Sequence, residues 1–402
     1  MSLLKKDELR LLWPTYLSML VGSILWLYPI FYVFYFREIG FSLTQIGFLA
    51  SAYLIANILF EVPTGIIADI FGRKFSVITG DILMGISMIL VLFSDNFYVI
   101  LILFFIRGIF KTLTSGSDEA WIIDYLKFKK RKYLIHEYYA KKHSFMSLGM
   151  VLSGILGSLL VGSYGLGIIW PATGLTILLS AIVILFQSEY FIKAKTKNKI
   201  IGIWNHAYKS TFYLNNNSSL KLILIAGLMI TIVIAFTSEI TWFPLLQDLG
   251  LKAEWIGYLV SASFVIEIIV PYFMKPTIRV LGGYKKSLII AVGIQALLLS
   301  FVLFAKNFIL VAILYSIIMP LGLYRIISSI IFQENIPDKI RATVGSMVNM
   351  LNSIMSAIMF PVVGFLADKL GPAVTLSVSG LILIPAIFLY TKIKDNNVPS
   401  VK

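Results

Sequence analysis

The sequence has no cysteine and only three histidines, His136, His143 and His206. The first absence excludes disulfides and thiolate metal centres. The histidines are scattered without ligand spacing, so no metal site and no cofactor is expected. Charge is scarce too: Asp, Glu, Lys and Arg make up 13% of the chain, where soluble domains carry about a quarter. Against that stand 58% hydrophobic residues and a mean hydropathy of +0.89. A 402-residue chain this apolar cannot keep its surface from water, which points to the lipid bilayer as its solvent. The net charge of +14 does not indicate nucleic acid as a partner. Lys and Arg sit in short loops between apolar runs and not on a polar face. No nucleophile–base set, nucleotide-binding loop or metal cluster is present in the pattern, so an enzyme is not expected.

What the sequence has in abundance is long apolar runs. A helix needs about 20 apolar residues to cross a bilayer. On that criterion twelve spans are expected, near 11–36, 44–68, 75–94, 97–123, 143–164, 168–191, 220–246, 253–275, 287–305, 308–333, 341–367 and 372–391. The first run is too long for a signal-peptide core and reads as a retained span. One set of alternate loops, including both termini, carries nearly all of the 34 Lys and Arg. The positive-inside rule then places both termini in the cytoplasm of a multi-pass plasma-membrane protein.

Residues 192–219 are polar and basic and split the spans six and six. The expected organisation is an N-terminal six-helix bundle (1–191), a cytoplasmic linker (192–219) and a C-terminal six-helix bundle (220–402). The linker suggests a short amphipathic helix around Ile200–Tyr208 at the inner leaflet. Its Asn216 and Asn217 begin N-x-S sequons that a cytoplasmic location leaves unmodified. The halves look related: IGFSLTQIG (39–47) lines up with LGLKAEWIG (249–257) at an offset of 210, which carries Gly72 onto Gly282. Parallel six-helix repeats are a transporter signature. The fold class expected is therefore an all-α membrane protein of two pseudo-symmetric halves.

Between the second and third spans stands EVPTGIIADIFGRK (61–74). Its Gly65-x-x-x-Asp69-x-x-Gly72-Arg73-Lys74 resembles the loop 2–3 motif of the major facilitator superfamily, and the twelve spans and central linker extend the resemblance over the chain. Glu61-Val62-Pro63-Thr64 is similar to bacterial or archaeal drug-efflux-like members. Glycines at Gly65 and Gly72 remove side chains where helix ends approach. Asp69 is an anion that could face the positive N-terminal end of helix 11, near Arg341. Arg73 can form a fork to a carboxylate. The resemblance implies that this partner is Asp124, at the inner end of helix 4. It also implies that the cluster holds the halves together on the cytoplasmic side and favours the outward-open state.

Ionisable residues inside spans are functional candidates by default. In helix 4, Arg107, Lys111, Thr114 and Asp118 fall at i, i+4, i+7 and i+11, on one helical face. The resemblance implies a proton-coupling role for Arg107. Helix 2 carries a second stripe of Tyr53, Asn57, Glu61 and Thr64, and helix 8 places Ser263 and Glu267 at the repeat-related positions. Glu239 in helix 7 and Arg325 in helix 10 complete the charged set. Glu61 and Glu267 are expected to be the deepest acids, and a structural salt bridge remains the alternative role for each. Helix 5 has Gly149, Ser153 and Gly157 on one face and Gly154, Ser158 and Gly162 on another, which permits close helix contact. The proline of the antiporter motif in that helix is missing. Helix 11 offers Asn349, Asn352, Ser353 and Ser356 as a hydrogen-bonding wall. Trp26, Tyr28, Tyr32 and Tyr35 in helix 1 either anchor it at the interface or line a vestibule.

The function expected is secondary active transport of a small molecule by alternating access. The leading form is proton-coupled efflux, an antiport of a small amphipathic or cationic compound by a monomer. Alternatives are a proton-coupled uptake symporter or facilitator for a nutrient or metabolite and, in another class, a non-transporting membrane sensor or interaction protein.

Overall fold

A computed structural model describes residues 5–190, 218–321 and 324–393, and among these every regular element is helical. The linker residues 192–217, with the amphipathic helix and sequons expected there, lie outside the described residues. So does the side chain of Arg325. The helices are α1 (Lys6–Ile24), α2 (Tyr28–Glu38), α3 (Leu43–Phe71), α4 (Arg73–Val91), α5 (Phe97–Thr114), α6 (Ser117–Phe128), α7 (Leu134–Tyr164) and α8 (Ile169–Ile184). After the linker come α9 (Ser218–Phe236), α10 (Glu239–Asp248), α11 (Ala253–Val280), α12 (Tyr284–Phe301), α13 (Phe308–Leu321), α14 (Tyr324–Glu334), α15 (Asp338–Leu370) and α16 (Pro372–Thr391).

Among the described residues, 11 helical stretches are long and apolar enough to cross a membrane. The span expected at 308–333 falls on the shorter apolar α13 and on α14, with 322–323 between them outside the described residues. Large apolar side chains stay exposed along the spanning helices, among them Ile102 (57%), Leu159 (55%), Ile182 (54%) and Leu297 (59%). Apolar exposure on this scale suits contact with lipid.

Three expected single spans are broken helices. The run 11–36 divides at Leu25–Leu27. Pro29 lies in the first turn of α2, where its missing N–H removes no helical bond. Thr173 Oγ1 of α8 accepts hydrogen bonds from the amides of Leu27 and Tyr28 at 3.1 and 3.2 Å. The run 97–123 divides at Ser115–Gly116, where Gly116 takes a left-handed φ of +72° that favours glycine. The run 220–246 divides at Thr237–Ser238.

The repeat recurs in the helix ends. Helices α2, α4 and α5 begin at Tyr28, Arg73 and Phe97, and α10, α12 and α13 begin 211 residues later, at Glu239, Tyr284 and Phe308. The turn before α4 is made by Gly72 (φ +100°) and the turn before α12 by Gly283 (φ +107°). Gly72 therefore corresponds to Gly283, one residue beyond the Gly282 that the offset of 210 selects. The packing repeats as well. In the N-terminal half α1 lies against α7 and α8, and α4 against α5 and α8. In the C-terminal half α9 lies against α15 and α16, and α12 against α16.

The chain forms two compact units. The first holds Met1–Phe41, Ala52–Thr196 and Lys252–Phe264. The second holds Ser42–Ser51, Lys197–Leu251 and Val265–Lys402. In the first unit, the two small-residue faces of α7 have separate uses. Gly149 and Gly157 meet Ser23, Leu27 and Phe31 of the first two helices, while Gly154 meets Gly257 and Ser261 of α11. In the second unit, Gly47 meets the backbone of Phe360 and Pro361 in α15, and Gly364 meets Leu43 and Thr44. The Asp368 carboxylate then accepts hydrogen bonds from the amides of Leu43 and Thr44 at 2.9 and 2.8 Å and from the Thr44 hydroxyl at 2.5 Å. These amides start α3 and have no partner inside that helix.

Candidate functional site

The motif residues sit where α3 turns into α4. Gly72 supplies the positive φ of the turn, and Glu189 Oε1 lies 3.2 Å from where a Cβ on Gly72 would stand. The same oxygen accepts the Lys74 amide at 3.0 Å, an anion on the N-terminal end of α4. Lys74 Nζ reaches the carbonyls of Leu185 and Gln187 at 2.6 and 3.0 Å, beyond the end of α8. Arg73 Nη1 lies 2.5 Å from Asp124 Oδ2 on α6. The turn is thus held by two other helices of the same unit. Asp69 is half-buried in α3, one turn before Gly72. Gly65 differs from the close-approach reading: a Cβ built there meets no described residue within 4 Å.

Arg107 is buried at 6% exposure in α5. Its guanidinium carbon lies 4.1 Å from the Tyr28 ring centre, 4.7 Å from Tyr53 and 5.6 Å from Phe104. Among the described residues no acid forms an ion pair with Arg107, and its Nε and Nη1 make no hydrogen bond. Gly108 makes this position possible, since a Cβ on it would stand 2.5 Å from the Tyr53 carbonyl oxygen. That close approach brings α3 and its Tyr53 onto α5. Tyr28, Tyr32 and Tyr35 belong to an aromatic cluster with Phe36, Phe104 and Trp170. Tyr32 and Tyr35 are each 6% exposed, so they are core residues of the unit and not interfacial anchors.

The stripe expected along helix 4 divides between Arg107 and Lys111, and its lower part continues across the Ser115–Gly116 break. Arg107 faces the rings, whereas Lys111, Thr114 and Asp118 line a cavity of about 290 Å³ inside the first unit. The cavity is walled by α1, α4, α5, α6, α7 and α8, and Asp81, Lys142 and Tyr138 also line it. Lys142 Nζ lies 3.2 Å from Asp118 Oδ2 and 2.7 Å from Glu119 Oε1. Asp81 was missed in the sequence because it has no polar neighbour at helical spacing, and its surroundings come from other helices. Its signal was available: a lone carboxylate in the apolar run 75–94.

The other candidates are more dispersed. Asn57 is half-buried, while Glu61 and Glu267 are exposed. Glu239 starts α10, and Tyr315 of α13 lies within electrostatic reach of both Glu239 and Glu267. Arg325 lies in the first turn of α14. In α15, Asn352 Oδ1 accepts the Thr231 hydroxyl at 3.0 Å.

A sequence profile of the Major Facilitator Superfamily matches residues 15–359. The uncharacterized MFS-type transporter YxaM of Bacillus subtilis is 23% identical over 417 aligned residues, covering 94% of this chain and 96% of that protein. The uncharacterized MFS-type transporter MJ1560 of Methanocaldococcus jannaschii is 25% identical over 41% of this chain and 42% of its own length. The multi-drug resistance efflux pump PmrA of Streptococcus pneumoniae is 26% identical over 40% of this chain and 37% of its own. Among solved structures, the nucleoside transporter NupG superposes with a TM-score of 0.75 at 15% identity, over 98% of this chain and 99% of that one. The POT family transporter PepTSo superposes with a TM-score of 0.68 at 10% identity, over 96% of this chain and 98% of that one. At these identities the structures establish the fold alone. With the profile covering most of its length, the chain belongs to the Major Facilitator Superfamily, as a multi-pass membrane transporter.

Proposed function

We propose that this transporter exports a small amphipathic or cationic compound in exchange for protons, by alternating access. It does so as a monomer in the plasma membrane with both termini in the cytoplasm. The observation that carries the reading is Arg107, a buried cation in a membrane-spanning helix that rests on aromatic rings and has no carboxylate paired to it among the described residues. A cation in that setting costs several kcal/mol by the higher estimates, and the cation–π contacts offset about 2 kcal/mol of it. The remaining field favours the ionised form of any acid that approaches, which then gives up its proton, and lets that acid recover the proton on withdrawal. Glu61, Asp81, Glu239 and Glu267 are the acids within spans available for this exchange. The partial likeness to PmrA supports outward transport. The tied turn of Gly72, Arg73 and Lys74 with Asp124 and Glu189 gives α3, α4, α6 and α8 a common rigid end, which suits a gate moving as one piece.

The test uses everted membrane vesicles, acidified inside by an imposed pH gradient, with the lipophilic cation ethidium added outside. Accumulation of dye that collapses with the gradient and is absent in Arg107→Ala supports the reading. Gradient-driven movement in the opposite direction, or wild-type accumulation by Arg107→Ala, overturns it.

A further inference from the structure

The cavity inside the first unit holds an unusual imbalance of partners. Asp118 and Lys142 on its wall are paired with each other. Asp81 of α4 and Lys111 of α5 line it too, and among the described residues neither side chain has a hydrogen bond or an ion pair within 4 Å. Lys111 lies within electrostatic reach of Asp81 across the space. Tyr138 is fully buried and its hydroxyl makes no hydrogen bond to a described residue, and the same holds for the buried indole Nε1 of Trp26. Buried polar groups left unmatched by protein require a ligand or ordered water. The site therefore offers an acid, a base and two further hydrogen-bonding groups. The rest of the wall combines apolar Met19, Val77, Ile122, Met146 and Ile184 with the hydroxyls of Thr15, Ser18, Ser23, Thr114 and Ser180, which are already hydrogen-bonded within the protein.

From these groups we infer that the cavity binds a small zwitterion of the free α-amino acid class with an apolar side group, its ammonium taken by Asp81 and its carboxylate by Lys111. A simple cation would leave Lys111 unmatched, and a simple anion would leave Asp81 unmatched. A dipolar molecule satisfies both charges at once. Tyr138 and Trp26 can donate further hydrogen bonds to the carboxylate. The volume of about 290 Å³ stands at the lower limit of ligand pockets, near 300 Å³, which favours a molecule of amino-acid size over a larger one. The inference rests on the exporter reading and narrows its cargo to an amphipathic zwitterion.

Binding is measured by calorimetry and by thermal shift on the purified full-length protein in detergent. The probes are L-leucine, L-methionine and L-phenylalanine, with L-leucine amide and N-acetyl-L-leucine as one-charge analogues. At least one free amino acid binds, and each blocked analogue of leucine binds at least tenfold more weakly than leucine. Asp81→Asn weakens leucine at least tenfold and leaves the weak binding of N-acetyl-L-leucine in place, while Lys111→Met does the same with respect to the amide. Binding of no free amino acid overturns the inference, and so does an amide that binds as tightly as leucine. Wild-type affinity in both variants overturns it as well. If a variant fails to fold, the analogue comparison on the unaltered protein still decides. Zwitterion binding without gradient-driven export in vesicles removes the exporter reading and leaves the site standing. Ethidium export without zwitterion binding does the reverse.

Discussion

Arg73 Nη1 lies 2.5 Å from Asp124 Oδ2 and ties the turn before α4 to α6. The side chains are 31% and 43% exposed, so the pair contributes only about 1 kcal/mol or less to stability. Its effect is expected in transport. Arg73→Ala and Asp124→Ala should each lower the transport rate with little change in thermal midpoint. The double variant should be no slower than the slower single one. Multiplicative losses would show that the two residues act separately.

Arg107 lies over the Tyr28 ring at 4.1 Å and faces Tyr53 at 4.7 Å. Arg107→Lys keeps the charge but loses the planar group that stacks on a ring. It should lower gradient-driven transport strongly. Tyr28→Phe keeps a ring and should retain transport, whereas Tyr28→Ala should weaken the arginine's seat by about 2 kcal/mol. Rates in vesicles under a fixed pH gradient rank the three, and a Lys variant at the wild-type rate would show that charge alone suffices.

Gly108 admits no Cβ without moving backbone: one would stand 2.5 Å from the Tyr53 oxygen and 2.7 Å from Ala56 Cβ. Gly108→Ala should destabilise the protein by about 1–3 kcal/mol, the usual cost of overpacking. A Cβ on Gly227 would meet no described residue within 4 Å, so Gly227→Ala should leave stability nearly unchanged. Fluorescence-detected thermal unfolding of both variants provides the comparison.

Asp368 is the acceptor for the first amides of α3. Asp368→Ala should cost about 1 kcal/mol, as for loss of a helix N-cap. It should also speed hydrogen exchange at Leu43 and Thr44. Unchanged exchange there would mean that water replaces the carboxylate without loss.

The absence of cysteine makes sidedness directly measurable. A cysteine at Lys132 should react with an impermeant maleimide only from the cytoplasmic side, and one at Asp95 only from the opposite side. Asp95 is preferable to Asn96, whose side chain accepts the amide of Tyr98 at 2.9 Å and caps α5. Labelling of both from one face would overturn the proposed topology.

The apolar runs made most helices legible, because burial in lipid leaves little choice of side chain. Their ends were less so. Helix α7 starts at Leu134, nine residues before the expected 143. The charges that hid this extension are paired: Lys141 with Glu8 and Glu137, Lys142 with Asp118 and Glu119. The break at Leu25–Leu27 was invisible for the opposite reason, since Leu25-Trp26-Leu27 is as apolar as its flanks, whereas the breaks at Ser115–Gly116 and Thr237–Ser238 fall on small polar residues that span length alone does not weigh. The Gly72–Lys74 turn could be read from glycine spacing, but its Glu189 contact could not, because that residue is 115 positions from Lys74. Spacing along one helix also assigned Arg107 and Lys111 to a single stripe and passed over Asp81. Only the tertiary fold shows which helices share a space.

The hydroxyl of Thr173 serves the amides of Leu27 and Tyr28, 146 and 145 positions earlier in the chain. The broken first helix therefore leaves the ribosome without the hydroxyl that its bend meets in the folded unit. That bend can reach its final form only after the sixth apolar run has been synthesised and inserted. A nascent chain truncated before residue 173 would hold the first segment in the bilayer without that contact, its Leu27 amide served by the Leu25 carbonyl at 2.8 Å. Biogenesis of this half is thus a matter of late docking as well as sequential insertion, with one threonine reaching back to the first span.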